Sequence, residues 1–111
     1  ILAPATLAGK TVRVVIRMGT DPFAATGAYF IVAATNGNTY LIIPITDDIE
    51  PSNGTYSYER TGDTTARLTA TDSESGLVVS DLVFVTTQAG TFSNSHPGVT
   101  GSQTGNFIIE P

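Results

Sequence analysis

Residues 54–71, which read GTYSYERTGDTTARLTAT, predict a β-hairpin. In the first arm two tyrosines alternate with small or polar residues, and in the second arm alanine and leucine alternate with threonine and arginine. Such alternation places one face of each strand towards the interior and the other towards solvent. Gly62 and Asp63 lie between the arms and favour a tight turn. We therefore expect Tyr56 and Tyr58 to point into the core.

The same kind of pattern recurs along the rest of the chain. Further strands are predicted over residues 10–18, 28–34, 39–45, 77–87, 91–93 and 105–110. Turn-forming residues separate them, above all Asn36 and Gly37, and no helical period is present. The sequence therefore predicts an all-β antiparallel meander of seven to eight strands. An up-and-down barrel is favoured because closure removes exposed strand edges, and a two-sheet β-sandwich is the alternative.

Some local expectations follow from the same reasoning. Residues 10–18 place Met18 on the apolar face of the first strand. Residues 41–45 are apolar on both faces, so they should be covered on both sides or lie near an end of the sheet. Residues 94–104 are rich in Ser, Gly, Thr and Asn and predict a long loop, in which His96, the only histidine, is expected to be solvated.

Composition narrows the functional classes. The chain has 111 residues, enough for one domain, and a net charge of −5 with no basic cluster, which argues against nucleic acid as a partner. It has no cysteine, and no apolar run approaches the roughly 20 residues of a membrane span, so no membrane insertion is expected. Only 14% of its residues are charged, as is common in extracellular β-proteins. Because the chain begins at Ile1 rather than Met, we expect a processed or excised module with neighbouring domains.

Several short motifs resemble those of a known group of proteins. Residues 54–68 follow the pattern G-x-Y-x-Y-x-x-T-G-x-x-T-A-x-L, and LVF, GTF and GNF follow at residues 82–84, 90–92 and 105–107. This order resembles that of β-modules in bacterial secreted proteins. Residues 7–11, LAGKT, are similar to the start of the first strand in calycin-like, lipocalin-type barrels. The resemblance implies a small β-module in a secreted, extracellular protein and no catalytic motif.

Catalytic chemistry has little support in the sequence. A nucleophilic triad or a zinc site would have to be built around His96 alone, because the chain has no cysteine and no second histidine. Paired carboxylates would suffice for glycoside hydrolysis, but a domain of this size without tryptophan has little from which to build a sugar cleft. We therefore expect a protein that is not an enzyme.

Aromatic residues are the candidate ligand-binding groups: Phe23, Tyr29, Tyr40 and Tyr58. Phe23 lies in a polar loop, and we expect it to cover the core as a lid, with an exposed contact as the alternative. Exposed tyrosines would favour binding of a polysaccharide or another cell-surface ligand, which is the first functional expectation. A filled core would favour a structural or adhesive spacer domain, and an empty apolar cavity a lipocalin-like carrier of an apolar small ligand.

One acidic loop offers candidate calcium ligands. Asp47, Asp48 and Glu50 supply the hard oxygen donors that calcium prefers, although their spacing is not that of an EF-hand. Calcium is the one cofactor that the sequence suggests, and the alternative is a solubilising turn.

Overall fold

The computed structural model describes residues 2–20, 23–47, 49–74, 76–98 and 100–110. Within these ranges eight antiparallel strands form one closed barrel: β1 (Thr11–Gly19), β2 (Gly27–Ala33), β3 (Thr39–Pro44), β4 (Ser52–Arg60), β5 (Thr65–Asp72), β6 (Gly76–Phe84), β7 (Ala89–Ser95) and β8 (Ser102–Glu110). Each strand pairs with the next, and β8 pairs with β1. The predicted up-and-down barrel is confirmed. Among the described residues, no helix is long and apolar enough to cross a membrane.

The hairpin predicted from residues 54–71 is formed by β4 and β5. Tyr56 pairs with Ala70 and Tyr58 with Leu68, so these side chains share the inner face of the barrel. Both tyrosines and Leu68 pack against the buried core, as expected.

The first strand shows where simple alternation fails. Val12, Val14 and Ile16 are buried, but Met18 is 71% exposed rather than part of the same face. The pairing of β1 with β8 shifts register between Ile16 and Met18, which marks a β-bulge. Since one extra residue reverses the sides on which later residues lie, the prediction for Met18 was wrong.

The N-terminal segment, residues 2–10, closes one end of the barrel. Ala3 and Leu7 are buried there, and the amide groups of Leu2 and Ala3 donate hydrogen bonds to the carbonyl oxygen of Asp63, at 2.8 and 3.2 Å. We call this the closed end. The opposite end, which carries the connections after β1, β3, β5 and β7, is the open end.

Two further strand predictions need correction. The predicted loop over residues 94–104 is shorter, because β7 continues to Ser95 and β8 begins at Ser102. Asn94 and Gln103 are buried inside the barrel, where the Asn94 amide nitrogen donates a 2.8 Å hydrogen bond to Gln103 Oε1. Polar residues whose hydrogen bonds are made to each other across two neighbouring strands look like loop residues in the sequence.

The apolar segment at residues 41–45 is covered on one side only. Ile42 points inwards, whereas Leu41, Ile43 and Ile45 are exposed on the outer surface. The alternative prediction was a place near an end of the sheet, whereas β3 pairs with strands on both sides in the closed barrel and Pro44 is only the last residue of its strand. The missing amide hydrogen of proline is thus placed where the ladder stops.

Candidate functional site

The barrel is hollow and encloses a cavity of about 720 Å³. Apolar side chains form most of its wall towards the closed end: Leu7, Val12, Ile31, Leu68, Leu82, Phe84, Phe107 and Ile109. Ile31 and Leu68 are only partly buried although they face inwards, because the cavity leaves part of their surface uncovered. Eight-stranded barrels have an interior that is either filled by side chains or holds one small ligand. In this barrel, side chains do not fill the interior.

A buried carboxylate lies in the cavity wall near the open end. Asp72, the last residue of β5, is 8% exposed. Its Oδ1 accepts hydrogen bonds from the hydroxyls of Tyr40, at 2.6 Å, and Ser52, at 3.0 Å. Its Oδ2 accepts a hydrogen bond from the backbone amide of Glu74, at 3.0 Å. We call Tyr40, Ser52 and Asp72 the Asp72 cluster.

The strand register explains how Tyr40 reaches Asp72. Tyr40 pairs with Gly54 on β4, and Gly54 pairs with Asp72 on β5, so the tyrosine ring passes over the glycine. A Cβ atom at position 54 would lie 2.9 Å from the Tyr40 hydroxyl oxygen and would overlap the carbonyl of Thr71. Glycine at this position therefore makes the Asp72 cluster sterically possible.

A second polar group continues around the wall. Ser80 donates a hydrogen bond to the side-chain oxygen of Asn94, and the Asn94 amide donates to Gln103, as described above. Gln103 Nε2 in turn donates to the carbonyl oxygen of Ala24, at 3.1 Å. These side-chain hydrogen bonds connect three strands of the barrel, β6, β7 and β8, to the connection between β1 and β2.

The tyrosines of the cavity remain neutral hydrogen-bonding groups at ordinary pH. Burial, and then the negative charge of Asp72, raises the pKa of Tyr29 to about 12, against a smaller opposing effect of its hydrogen bond with Asn94. Burial also raises the pKa of Tyr40, and the hydrogen bond to Asp72 adds to that rise. Both phenols therefore keep their protons far into the alkaline range.

Two rings meet at the open end of the cavity. Phe23 stacks on His96 with ring centroids 4.5 Å apart and planes inclined by 13°. Nδ1 of His96 lies 2.7 Å from the carbonyl oxygen of Leu77, so this nitrogen carries the hydrogen. Phe23 and His96 are both partly buried and both line the cavity. The structure thus places Phe23 over the open end, partly buried, and it shows His96 as a partly buried loop residue rather than a fully solvated one.

The structure brings together three of the four predicted ligand-binding aromatic residues. Phe23, Tyr29 and Tyr40 all line the cavity. Tyr58 lies apart from them and donates a 2.8 Å hydrogen bond to the carbonyl oxygen of Pro4 at the closed end. None of these side chains contributes to an exposed tyrosine platform.

The candidate calcium ligands do not form a described site. Asp48 lies outside the described residues, while Asp47 and Glu50 are exposed in the connection between β3 and β4. In the described ranges no group of three or more His, Asp or Glu side chains is arranged to hold a metal ion. Glu50 instead lines the rim of the cavity.

Sequence reasoning missed most of the polar wall. It did not single out Ser52, Ser80, Asn94 or Gln103, and it did not place Asp72 or His96 in the wall of a cavity. A usable signal was present in strand parity: Asp72 continues the inward series of Ala66, Leu68 and Ala70. Asn94 likewise follows Phe92 at a spacing of two residues. A polar residue in phase with an inward apolar series marks a cavity wall or a buried network.

Comparisons of the chain with protein-family models, with curated protein sequences and with solved structures gave no significant match. The resemblance to secreted β-modules stays a prediction.

Proposed function

We propose that this protein binds a small, largely apolar molecule inside its barrel and serves as a carrier or store for it, without catalysing a reaction. The observation that carries the proposal is the cavity of about 720 Å³, which is plugged by the N-terminal segment at one end and reaches the surface at the other. Sites for small organic ligands commonly have volumes of about 300–1,000 Å³ and mostly apolar walls.

The apolar walls of the cavity support ligand binding. The cavity reaches solvent at the open end, so water enters it in the free protein. Release of that water from the apolar surface contributes to the binding of an organic molecule.

The inward orientation of the tyrosines favours this function over the two other candidates. Polysaccharide binding was expected to use exposed rings, but Tyr29, Tyr40 and Tyr56 line the cavity and Tyr58 packs against the core. A spacer domain was expected to have a filled interior, whereas the interior of this barrel contains a cavity. This proposal keeps the secreted setting predicted from the sequence. A carrier in an aqueous extracellular medium needs to enclose an apolar cargo.

A fluorescence titration tests the proposal. N-phenyl-1-naphthylamine, a neutral apolar dye, should bind in a one-to-one, saturable manner and become brighter. Ala70→Phe fills the cavity from its wall and should weaken dye binding by about tenfold or more. Thr71→Phe places the same ring on the outer face of the same strand and should leave binding unchanged.

Two results would count against cavity binding. One is the absence of saturable dye binding by the unaltered protein. The other is equal binding by Ala70→Phe and the unaltered protein. Retention of the protein on insoluble cellulose, xylan or chitin without any dye binding would favour the carbohydrate reading.

A further inference from the structure

We propose that the ligand of this cavity is an organic cation, an apolar molecule with a protonated amine or quaternary ammonium head that lies near the open end. This inference rests on the proposed cavity binding and adds the chemical class of the ligand.

The charges in the wall have one sign. The carboxylates of Glu50, Asp72 and Glu74 line the cavity, and in the part of the chain that the structure describes no lysine or arginine does so. The five basic residues, Lys10, Arg13, Arg17, Arg60 and Arg67, all lie outside the lining. An anionic ligand such as a fatty acid would enter this space without a cation to pair with, and an unpaired buried charge is strongly disfavoured.

Burial of Asp72 strengthens the electrostatic interaction of its carboxylate with a ligand. Its carboxylate is buried within the polar half of the wall, where charges interact more strongly than in water. The Tyr40 and Ser52 hydroxyls donate to it, so the charge is held in place. Glu50 and Glu74 are exposed at the rim, where they attract cations towards the opening.

Aromatic rings near the Asp72 cluster suit the same ligand. Tyr40 and Tyr56 meet edge to face, with centroids 6.2 Å apart and planes inclined by 62°, and both line the cavity. The faces of such rings attract ammonium groups. Carboxylate and ring faces thus converge on one region of the wall.

The two halves of the cavity fix the orientation of the ligand. The carboxylates and phenols lie towards the open end, whereas Leu82, Phe84 and Ile109 form an apolar wall deeper in the barrel. A cationic head at the Asp72 cluster places an attached hydrocarbon chain or ring system against that apolar wall. A molecule that is polar throughout would leave the apolar wall without apolar contacts.

Displacement of N-phenyl-1-naphthylamine by three ligands of equal chain length tests the inference: decyltrimethylammonium and decanoate, each below its micelle concentration, and decanol below its solubility limit. We expect decyltrimethylammonium to bind about tenfold or more tighter than decanoate, with decanol between them. Added salt should narrow this difference, because it screens the rim carboxylates.

Matched variants locate the source of the preference. Glu50→Gln with Glu74→Gln, and separately Asp72→Asn, should reduce the preference for the cation while dye binding persists. Glu59→Gln with Asp63→Asn removes the same charge from exposed positions outside the lining and should leave the preference unchanged. Because Glu50 and Glu74 are exposed, their double variant remains informative even if Asp72→Asn does not fold.

The failures of the two proposals can be told apart. Tighter binding of decanoate or decanol would overturn the cationic ligand while leaving cavity binding intact. A preference for the cation that neither set of cavity variants reduces would also overturn it. Absence of binding by the dye and by all three ligands would overturn both proposals together.

Discussion

The hydroxyl of Tyr40 donates a 2.6 Å hydrogen bond to the carboxylate of Asp72, although two strand spacings separate their backbones. This bond crosses above Gly54 and joins β3, β4 and β5 inside the barrel. The contact between β3 and β4 is otherwise short, with paired residues from Thr39 to Ile42 only. The bond therefore supports both the fold and the wall of the candidate site.

Removing the hydroxyl of Tyr40 should destabilise the protein. In Tyr40→Phe the buried Asp72 loses a donor, and we expect the free energy of unfolding to fall by about 1–3 kcal/mol. Urea denaturation measures the change. Tyr56→Phe is the control, since the described part of the chain offers its hydroxyl no hydrogen-bond partner, and it should cost much less. Equal effects of the two substitutions would contradict the role of the Tyr40–Asp72 bond.

Adding a methyl group at position 54 should also destabilise the protein. Gly54→Ala overlaps the Thr71 carbonyl and crowds the Tyr40 hydroxyl, so we expect a loss of about 1–3 kcal/mol or more. Thermal unfolding followed by circular dichroism gives the comparison. Thr55→Ala, on the exposed face of the same strand, should change stability by about 0.5 kcal/mol or less. Unaltered stability of Gly54→Ala would show that the strands separate at this point.

The bulge in β1 predicts opposite outcomes at two neighbouring apolar residues. Ile16 is 5% exposed, so Ile16→Ala should cost about 2–5 kcal/mol. Met18→Ala should change the free energy of unfolding by about 0.5 kcal/mol or less, because Met18 lies on the outside. Chemical denaturation of both variants tests the register. A large loss in Met18→Ala would mean that the strand continues without a bulge.

The ring of Phe23 should control how fast ligands enter and leave. Phe23→Ala removes the ring that stacks on His96 at the open end, so both association and dissociation of the dye should accelerate more than its affinity changes. Stopped-flow fluorescence measures both rates. Phe30→Ala, which removes the same ring from a residue outside the cavity lining, should leave them unaltered. Unchanged rates in Phe23→Ala would show that the Phe23 ring does not control the entry or release of ligands.

The tyrosines predict a loss of stability at alkaline pH. In the unfolded chain a tyrosine ionises near pH 10, whereas Tyr29 ionises near pH 12 in the fold. A pKa raised by folding contributes stability that is complete below the lower value and is lost as the pH rises through the upper one. The free energy of unfolding should therefore fall between pH 10 and about pH 12. Tyr29→Phe should make that fall shallower, and ultraviolet absorbance should show tyrosinate appearing late in the folded protein. Ionisation of every tyrosine near pH 10 would contradict the buried positions.

The parts of the fold that the sequence predicted correctly are those governed by local rules. Strict alternation around Tyr56 and Tyr58 and the turn-forming residues Asn36 and Gly37 are sufficient to predict their hairpins, and Gly37 has a φ of +87°, which glycine adopts readily. The order of the strands around the barrel then follows from sequential pairing. None of this depends on distant residues.

The polar wall could not be predicted in the same way because its residues are matched across strands. Asn94 and Gln103 resemble loop residues unless each is known to face the other, and that depends on the register of β7 with β8. Asp72 resembles a turn residue until Tyr40 and Ser52 are placed beside it. The exposed side of Met18 likewise depends on a register shift against β8.

The pairing of β1 with β8 has a consequence for self-association. Several large apolar side chains are exposed on the outer surface, among them Leu41, Ile43 and Val85. Apolar strands of this kind initiate intermolecular sheet growth when their backbone hydrogen-bonding groups are unpaired. Here β1 and β8 occupy each other's free edge, so among the described residues the barrel has no edge strand. Fibril-like aggregation must therefore wait for a seam of the barrel to open, and the shortest seam, between β3 and β4, has only four residue pairs.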